Sequence, residues 1–303
     1  MSDLDGRVRL AAFTWLSEQV RIHGDVLPRS LLAEGFVFED QRVPLVGPQG
    51  IFKPRLLPQM PLSITTTPEG PYDDSFGPDN LLLYRYRGID PQHRDNSGLR
   101  MAYFHKAPLI YFHGVVPGKY LAVWPVFIVA DDPQKLTFKV AVDDLSLLTT
   151  EQKDNTFTAE PTIEARRLYL TSLVKQRLHQ RGFRERVLRA YREQCAFCRL
   201  RHLELLDAAH IIPDSEPDGE ATVNNGISLC KFHHAAFDRL LLGIRPDCII
   251  EVRKDVLEEK DGPMLLHGLQ GLHLQRILIP SSSEMRPNPD LLDRRYQRFR
   301  AMA

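Results

Sequence analysis

Cys195, Cys198, Cys230 and His233 stand in two short pairs, C-x-x-C and C-x-x-H, with thirty-one residues between the pairs. Two such pairs on tight turns bring three thiolates and an imidazole to one tetrahedral point, a ligand set that suits Zn²⁺. Four protein ligands leave no open coordination position, so this ion would hold the fold and take no part in a reaction. The competing reading is a C-x-x-C redox pair. That pair opens a helix after a strand, whereas here a basic helical stretch precedes it. Three further residues lie between or beside the pairs: His210 in the apolar run LLDAAHIIP, Asn225 in an Asn-Gly step, and His234 directly after the last ligand. An imidazole titrates close to neutral pH and can accept a proton in a reaction. Taken alone, His210 would read as a satisfied core histidine and Asn225-Gly226 as a turn signal. Their position between the two metal pairs favours a working role.

The runs YREQCAFC, LLDAAHIIP and VNNGISLCKFHHAAFD resemble, in order and spacing, the HNH (ββα-metal) nucleases, in particular their bacterial restriction-type branch; the likeness spans residues 183–245. It implies two strands, a loop and a helix around one divalent ion. By position it makes His210 the general base on the first strand, Asn225 the brace of the loop, and His234 a metal ligand on the helix. That chemistry is what phosphodiester hydrolysis requires: a deprotonated water in line with the leaving oxygen, and a cation such as Mg²⁺ or Mn²⁺ near that oxygen. One position departs from the family pattern. Ala209 stands where many relatives carry a second metal ligand. On an alternating strand Asp207 points to the same side as Ala209, and Asp238 is one helical turn after His234. Either carboxylate could complete the ion site. If neither reaches it, the domain would bind zinc and DNA but cut poorly.

These residues need elements to hold them. The chain has 303 residues, long enough for two domains, and 39 basic against 39 acidic side chains. The zero net charge hides a local block: eleven Lys and Arg lie between Arg166 and His202, against Glu185 and Glu193. Arg184, Arg189, Arg199 and Arg201 are the candidates for phosphate contact from this block; the alternative is a solvated helix face. Helices are expected at Arg166–Gln180 and Phe183–Glu193, separated by Gly182. After Asp238 the expectation is a strand pair, a further strand in LHLQRILIP and a closing helix whose Arg294, Arg295, Arg298 and Arg300 either extend the basic surface or lie on a solvated face. No apolar run approaches the length needed to span a bilayer, no signal-peptide pattern opens the chain, and a cytoplasmic protein is expected. Cys248 is left over, a buried residue in a strand-like run.

Further upstream, two helices (Val8 to Gly24, and LPRSLLAEGF) lead into Pro- and Gly-rich sequence with short β-prone runs. The runs LLLYRYR, PLIYFHG, KYLAVWPVFIV and LTFKVAV follow, strands enough for a curled sheet or barrel. Tyr72-Asp73-Asp74, an aromatic strand ending Tyr86-Arg87-Gly88, Asn96 and the strand led by Pro108 resemble the SRA domains and their PUA-like relatives. Those domains read modified bases by flipping them from DNA, and the base they select is a 5-substituted cytosine. The resemblance implies a pocket in which Tyr72 with Tyr84 or Tyr86 replaces lost base stacking and Asp73 or Asp74 accepts from an exocyclic amine. Ordinary cross-strand packing of the tyrosines is the alternative.

The expected fold is therefore α+β: a DNA-reading domain over 1–144 with an SRA/PUA-like barrel, a linker over 145–165, and a zinc-stabilised HNH domain over 166–303. The expected function is a modification-dependent DNA endonuclease acting on double-stranded DNA near a modified cytosine. Because a one-ion site cuts one strand at a time, a homodimer would suit double-strand cleavage. Two other readings stay open: an HNH nuclease that reads unmodified sequence, backbone modification or DNA structure, and a zinc-stabilised DNA-binding protein without activity.

Overall fold

The computed structural model describes residues 3–67, 76–143, 163–260 and 262–302. It divides into two compact units, Met1–Arg181 and Gly182–Ala303.

The first unit opens with α1 (Asp3–His23), β1 (Val26–Pro28) and α2 (Arg29–Glu34), which ends at Gly35 in the left-handed region, φ 68°. A small hairpin follows, β2 (Phe36–Phe38) with β3 (Gln41–Val43). The main sheet comprises β4 (Ile51–Phe52), β5 (Ser63–Thr66), β6 (Leu82–Arg85), β7 (Leu109–Val116), β8 (Lys119–Asp132) and β9 (Thr137–Val142), with α3 (Arg94–Phe104) between β6 and β7. Its order is β4-β5-β7-β8-β9-β6, with β1 paired to β8. Among the described residues only β5 and β7 run parallel. Register shifts in β7–β8 and β8–β9 bend the long strand, as β-bulges do. The sheet curls until its two ends meet: Tyr84 on β6 donates a hydrogen bond to the carbonyl of Thr65 on β5, at 3.3 Å.

The curl explains the apolar run Leu109 to Phe112 that opens β7. Leu109 and Tyr111 pack into an inner cluster with Leu121, Val123, Phe138 and Val140. Ile110 and Phe112 pack into an outer one with Val8, Phe13 and Leu16 of α1. A strand covered on both faces has no polar side to show. The expected linker at 145–165 falls almost wholly outside the described residues.

A single helix, α4 (Ile163–Ala190), replaces the two expected on either side of Gly182. A lone glycine in a helix costs only about 1 kcal/mol, and the apolar stripe continues through it. In the second unit Phe183, Val187 and Leu188 of this helix, with Tyr191 just past its end, join one core with the hairpin of β10 (Leu206–His210) and β11 (Gly226–Cys230). After it come α5 (Lys231–Asp238), β12 (Leu242–Ile244), β13 (Ile250–Val252), two short helices α6 (Lys254–Glu258) and α7 (Pro263–Gly268), and α8 (Pro289–Met302). The strand expected in LHLQRILIP does not form. That segment makes only an isolated bridge between Ile249 and Arg276, because its amides are shared among Cys248, Ala196 and the β13 edge. The ring of Phe299 on α8 lies where a side chain on Gly243 would stand, so α8 docks closely on β12. Cys248 is half-buried.

Candidate active site

The metal pairs meet. The ligand atoms of Cys195, Cys198, Cys230 and His233 all lie within 4.8 Å of one another. Nδ1 of His233 is 3.4 Å from Sγ of Cys195 and 3.1 Å from Sγ of Cys230. Its other nitrogen, Nε2, is 2.8 Å from the carbonyl of Gly268. That carbonyl holds the proton on Nε2 and turns the Nδ1 lone pair toward the three sulfurs, the usual way a ligating histidine is oriented. Hydrogen bonding with Cys195 and Cys230 pushes the Cys198 thiol up, while the same kind of contact from Cys195 and Cys198 pushes Cys230 down. Three thiolates in so small a volume need a cation, and the donor set fits Zn²⁺.

β10 and β11 pair antiparallel in the register Leu206–Cys230, Asp207–Leu229, Ala208–Ser228, Ala209–Ile227 and His210–Gly226. Side chains alternate along the strand, so Asp207 and Ala209 share one face and His210 stands on the other. On the first face Asp207 meets α5. Its Oδ2 is 3.4 Å from Nδ1 of His234, and Nε2 of His234 is 3.2 Å from Oδ2 of Asp238. The two candidate carboxylates thus hold opposite nitrogens of one ring. Hydrogen bonds to Asp207 and Asp238 raise the pKa of His234 to about 9; His234 lowers both carboxyls in return, against the upward pull of their burial.

On the other face the ring of His210 stacks on Phe183 of α4, with centroids 4.1 Å apart and planes 20° from parallel. Opposite His210, a side chain on Gly226 would fall 2.4 Å from Val187 and 2.9 Å from Phe183. The Asn-Gly step is therefore not a turn demanding positive φ; Gly226 is extended, at φ −126°, and the glycine admits the helix that supports His210. We expect Gly226→Ala to cost about 1–3 kcal/mol by overpacking, measured by denaturant unfolding, and to loosen Phe183 from the histidine.

Asn225 is fully buried. Its Oδ1 accepts from the amide of Ile212 at 2.9 Å, and its Nδ2 donates to the carbonyls of Ile212 at 3.0 Å and Glu220 at 2.9 Å. All three bonds close the loop that leaves His210. Asn225→Ala is expected to destabilise the protein by about 3 kcal/mol, since each buried group left unpaired costs roughly 1–3 kcal/mol; equilibrium unfolding checks this.

The basic block is largely engaged. Arg177 and Arg181 both clasp Asp25 at 2.9 Å, and Arg167 pairs with Asp143 at 2.7 Å. Arg184 donates to the carbonyls of Leu203 at 3.0 Å and Leu206 at 2.9 Å, and lies 3.8 Å from Asp207. As placed, it braces the entry to β10. Arg189, Arg199 and Arg201 are exposed.

In the first unit a cavity of about 320 Å³ opens where the ends of the curled sheet meet, bordered by Gln49, Gly50, Thr65, Thr66, Tyr84 and Tyr86 among others. Thr66 Oγ1 lies 3.0 Å from the Tyr111 hydroxyl, itself 3.0 Å from Nδ1 of His113. The Tyr86 ring stacks on Phe138 at 4.5 Å, and its hydroxyl bonds Asp131 and Arg100. Tyr72, Asp73 and Asp74 lie outside the described residues.

The sequence reading that sets Arg295, with Arg294, Arg298 and Arg300, on a basic or solvated surface is corrected by the structure. Arg295, on α8, is buried and sends its guanidinium into the same region as His234 and Asp238. A charged residue in a basic terminal helix gave no local signal of burial.

A hairpin and helix carrying a Cys₃His cluster able to hold a metal, with a histidine at the strand end and a carboxylate–imidazole–carboxylate group against the helix, is a frame that suits a metal-dependent nuclease. The family model described as HNH endonuclease matches residues 195–245, and this part of the chain is such a nuclease domain. No curated protein matches the sequence. Among solved structures the chain is similar to a modification-dependent restriction endonuclease, TagI. The identity is 14% and the TM-score 0.29, with 79% of this chain and 82% of that chain covered. It is also similar to the type IV phosphorothioation-dependent restriction endonuclease ScoMcrA, at 17% identity and a TM-score of 0.19, over 57% of this chain and 52% of that chain. No helix among the described residues is long and apolar enough to cross a membrane.

Proposed function

We propose that the protein is a modification-dependent DNA endonuclease of restriction type, in which the first unit reads a modified cytosine and the second hydrolyses a phosphodiester. The observation that carries the nuclease half is His234 flanked by Asp207 and Asp238 against the strand that ends in His210. Asp207 and His210 are three residue steps apart on the strand, about 10 Å along the chain. Among the described residues β10 has a strand partner on one side only, and a sugar–phosphate link lying along its other edge would be flanked by the two faces. His210, its plane held by Phe183, takes the proton of the attacking water. Asn225 fixes the loop beyond it. His234 with one of its two flanking carboxylates, Asp207 or Asp238, would hold the catalytic ion; Mg²⁺ or Mn²⁺ there would supply Lewis acidity toward the phosphate and the leaving oxygen. Arg189, Arg199 and Arg201 contact flanking phosphates.

For the reader, support comes from the cavity at the meeting ends of the curled sheet and from the SRA/PUA-like motif order. The volume is at the lower end of the roughly 300–1,000 Å³ that small-molecule sites occupy. Tyr84 supplies an aromatic wall, while Gln49 and Thr66 supply hydrogen-bonding groups for a flipped base. Tyr86 already stacks within the core, which leaves Tyr84 and Tyr72 as the better stacking partners. Asp73 or Asp74 accepts from the exocyclic amine.

The test is digestion of one plasmid carrying cytosine, 5-methylcytosine or 5-hydroxymethylcytosine, in Mg²⁺ and in Mn²⁺. Cutting confined to a modified form supports the reading. Equal cutting of every form would leave a nuclease that reads something else, and no cutting of any DNA would leave a zinc-stabilised DNA-binding protein.

A further inference from the structure

Arg295 is 8% exposed, and its guanidinium reaches three groups. One terminal nitrogen, Nη1, donates to the carbonyl of Ile211 at 3.1 Å, next to His210. The other, Nη2, donates to the carbonyl of Phe237 at 2.9 Å and lies 3.5 Å from Oδ1 of Asp238. The plane of the group sits over the Phe237 ring, 4.0 Å from its centroid. Nε is buried with no hydrogen-bond partner among the described residues. A buried cation with an unmatched donor costs stability that an apolar side chain of the same size would not. Packing alone is therefore a poor reason for an arginine here.

The carboxylate that Arg295 holds is the one on Nε2 of His234. One ion can take only one nitrogen of that ring. Asp207 faces Nδ1 from the strand, and Asp238 faces Nε2 from the last turn of α5. A carboxylate already drawn to a guanidinium is a poorer ion ligand and a better anchor for an imidazole N–H, an arrangement that commonly orients ligating histidines.

Resting on the nuclease reading above, we propose that Arg295 is a positioning residue: through Asp238 it fixes the His234 ring so that Nδ1 and Asp207 face the catalytic ion. It also ties the end of β10 to the end of α5, so α8, outside the matched segment 195–245, completes the site.

The test is direct Mn²⁺ binding to the zinc-loaded full chain, followed by electron paramagnetic resonance, beside DNA cleavage rates. Removing groups that support metal ligands typically costs 10–100-fold in affinity or activity. Arg295→Met and Asp238→Ala are each expected to weaken Mn²⁺ about 10-fold, and the double variant no further, because both cut one chain of contacts. Asp207→Ala should weaken it about 100-fold. Tyr296→Phe removes another anchor of α8, the 2.7 Å bond to Glu251, and should leave Mn²⁺ affinity unchanged. Asp238 is about half exposed, so its variant decides the matter even if Arg295→Met fails to fold. Unchanged affinity in Asp238→Ala overturns the proposal, as do additive losses in the double variant. Loss of Mn²⁺ binding in Asp238→Ala with retention in Asp207→Ala also overturns it, by making Asp238 the ligand. If the wild-type chain binds Mn²⁺ as expected but cuts no DNA, the nuclease reading falls and the positioning result still stands or falls by itself.

Discussion

His210→Ala is expected to slow DNA cleavage by roughly 10²–10⁴-fold, the range a positioned general base contributes. Zinc content, Mn²⁺ binding and DNA affinity should remain within about two-fold of wild type. The reason lies in the hairpin. His210 is on the face opposite Asp207 and contributes no atom to either ion site, so its removal takes away a proton acceptor and a ring stacked on Phe183. The Asn225 bonds that close the following loop are untouched. Single-turnover cleavage with saturating enzyme checks the rate, and added imidazole should restore part of it. His234→Ala makes the contrast, since it should lose Mn²⁺ binding together with activity. A His210→Ala enzyme that cuts at the wild-type rate would remove this residue as the base.

Stripping zinc, or replacing Cys230 by alanine, is expected to unfold the second unit. Structural zinc contributes roughly 10–16 kcal/mol of apparent folding free energy in small zinc modules, comparable to or above the whole stability of an ordinary domain, about 5–15 kcal/mol. The four ligands come from the knuckle after α4, the end of β11 and the first turn of α5, so one ion fastens the three elements that carry the site. After chelation, verified by metal analysis, amides of 195–245 should lose their protection from hydrogen exchange. Amides of β7 to β9 should keep theirs, because that sheet has its own apolar clusters. Retained protection across 195–245 in metal-free protein would rule out a structural role for the ion.

Much of the site was legible from local spacing. C-x-x-C and C-x-x-H pairs are turns that must meet if they bind one ion, and the i, i+4 step from His234 to Asp238 puts both on one helix face whatever surrounds them. The strands of the first unit were readable for the same reason: apolar and aromatic runs bounded by turns have few other uses. Where reading failed, a distant partner decided. Gly182 looked like a helix end, but a helix continues where its apolar stripe has a core to meet. LHLQRILIP has the composition of a strand, yet its amides are taken by separate partners. Gly226 looked like a turn and proved to be clearance for Phe183 and Val187.

By itself, then, the order of residues determined the four Cys and His side chains that could hold zinc, the histidine at the strand end and the α+β texture of the chain, all properties of neighbours within a turn or a pleat. Tertiary structure alone decided that Asp207 and Asp238 take opposite nitrogens of His234, that Arg184 braces a strand, and that Arg295, some fifty residues past the matched motif, enters the site. Contacts of that kind depend on which surfaces pack together, and a charged side chain carries no mark of the carbonyls it will meet once buried.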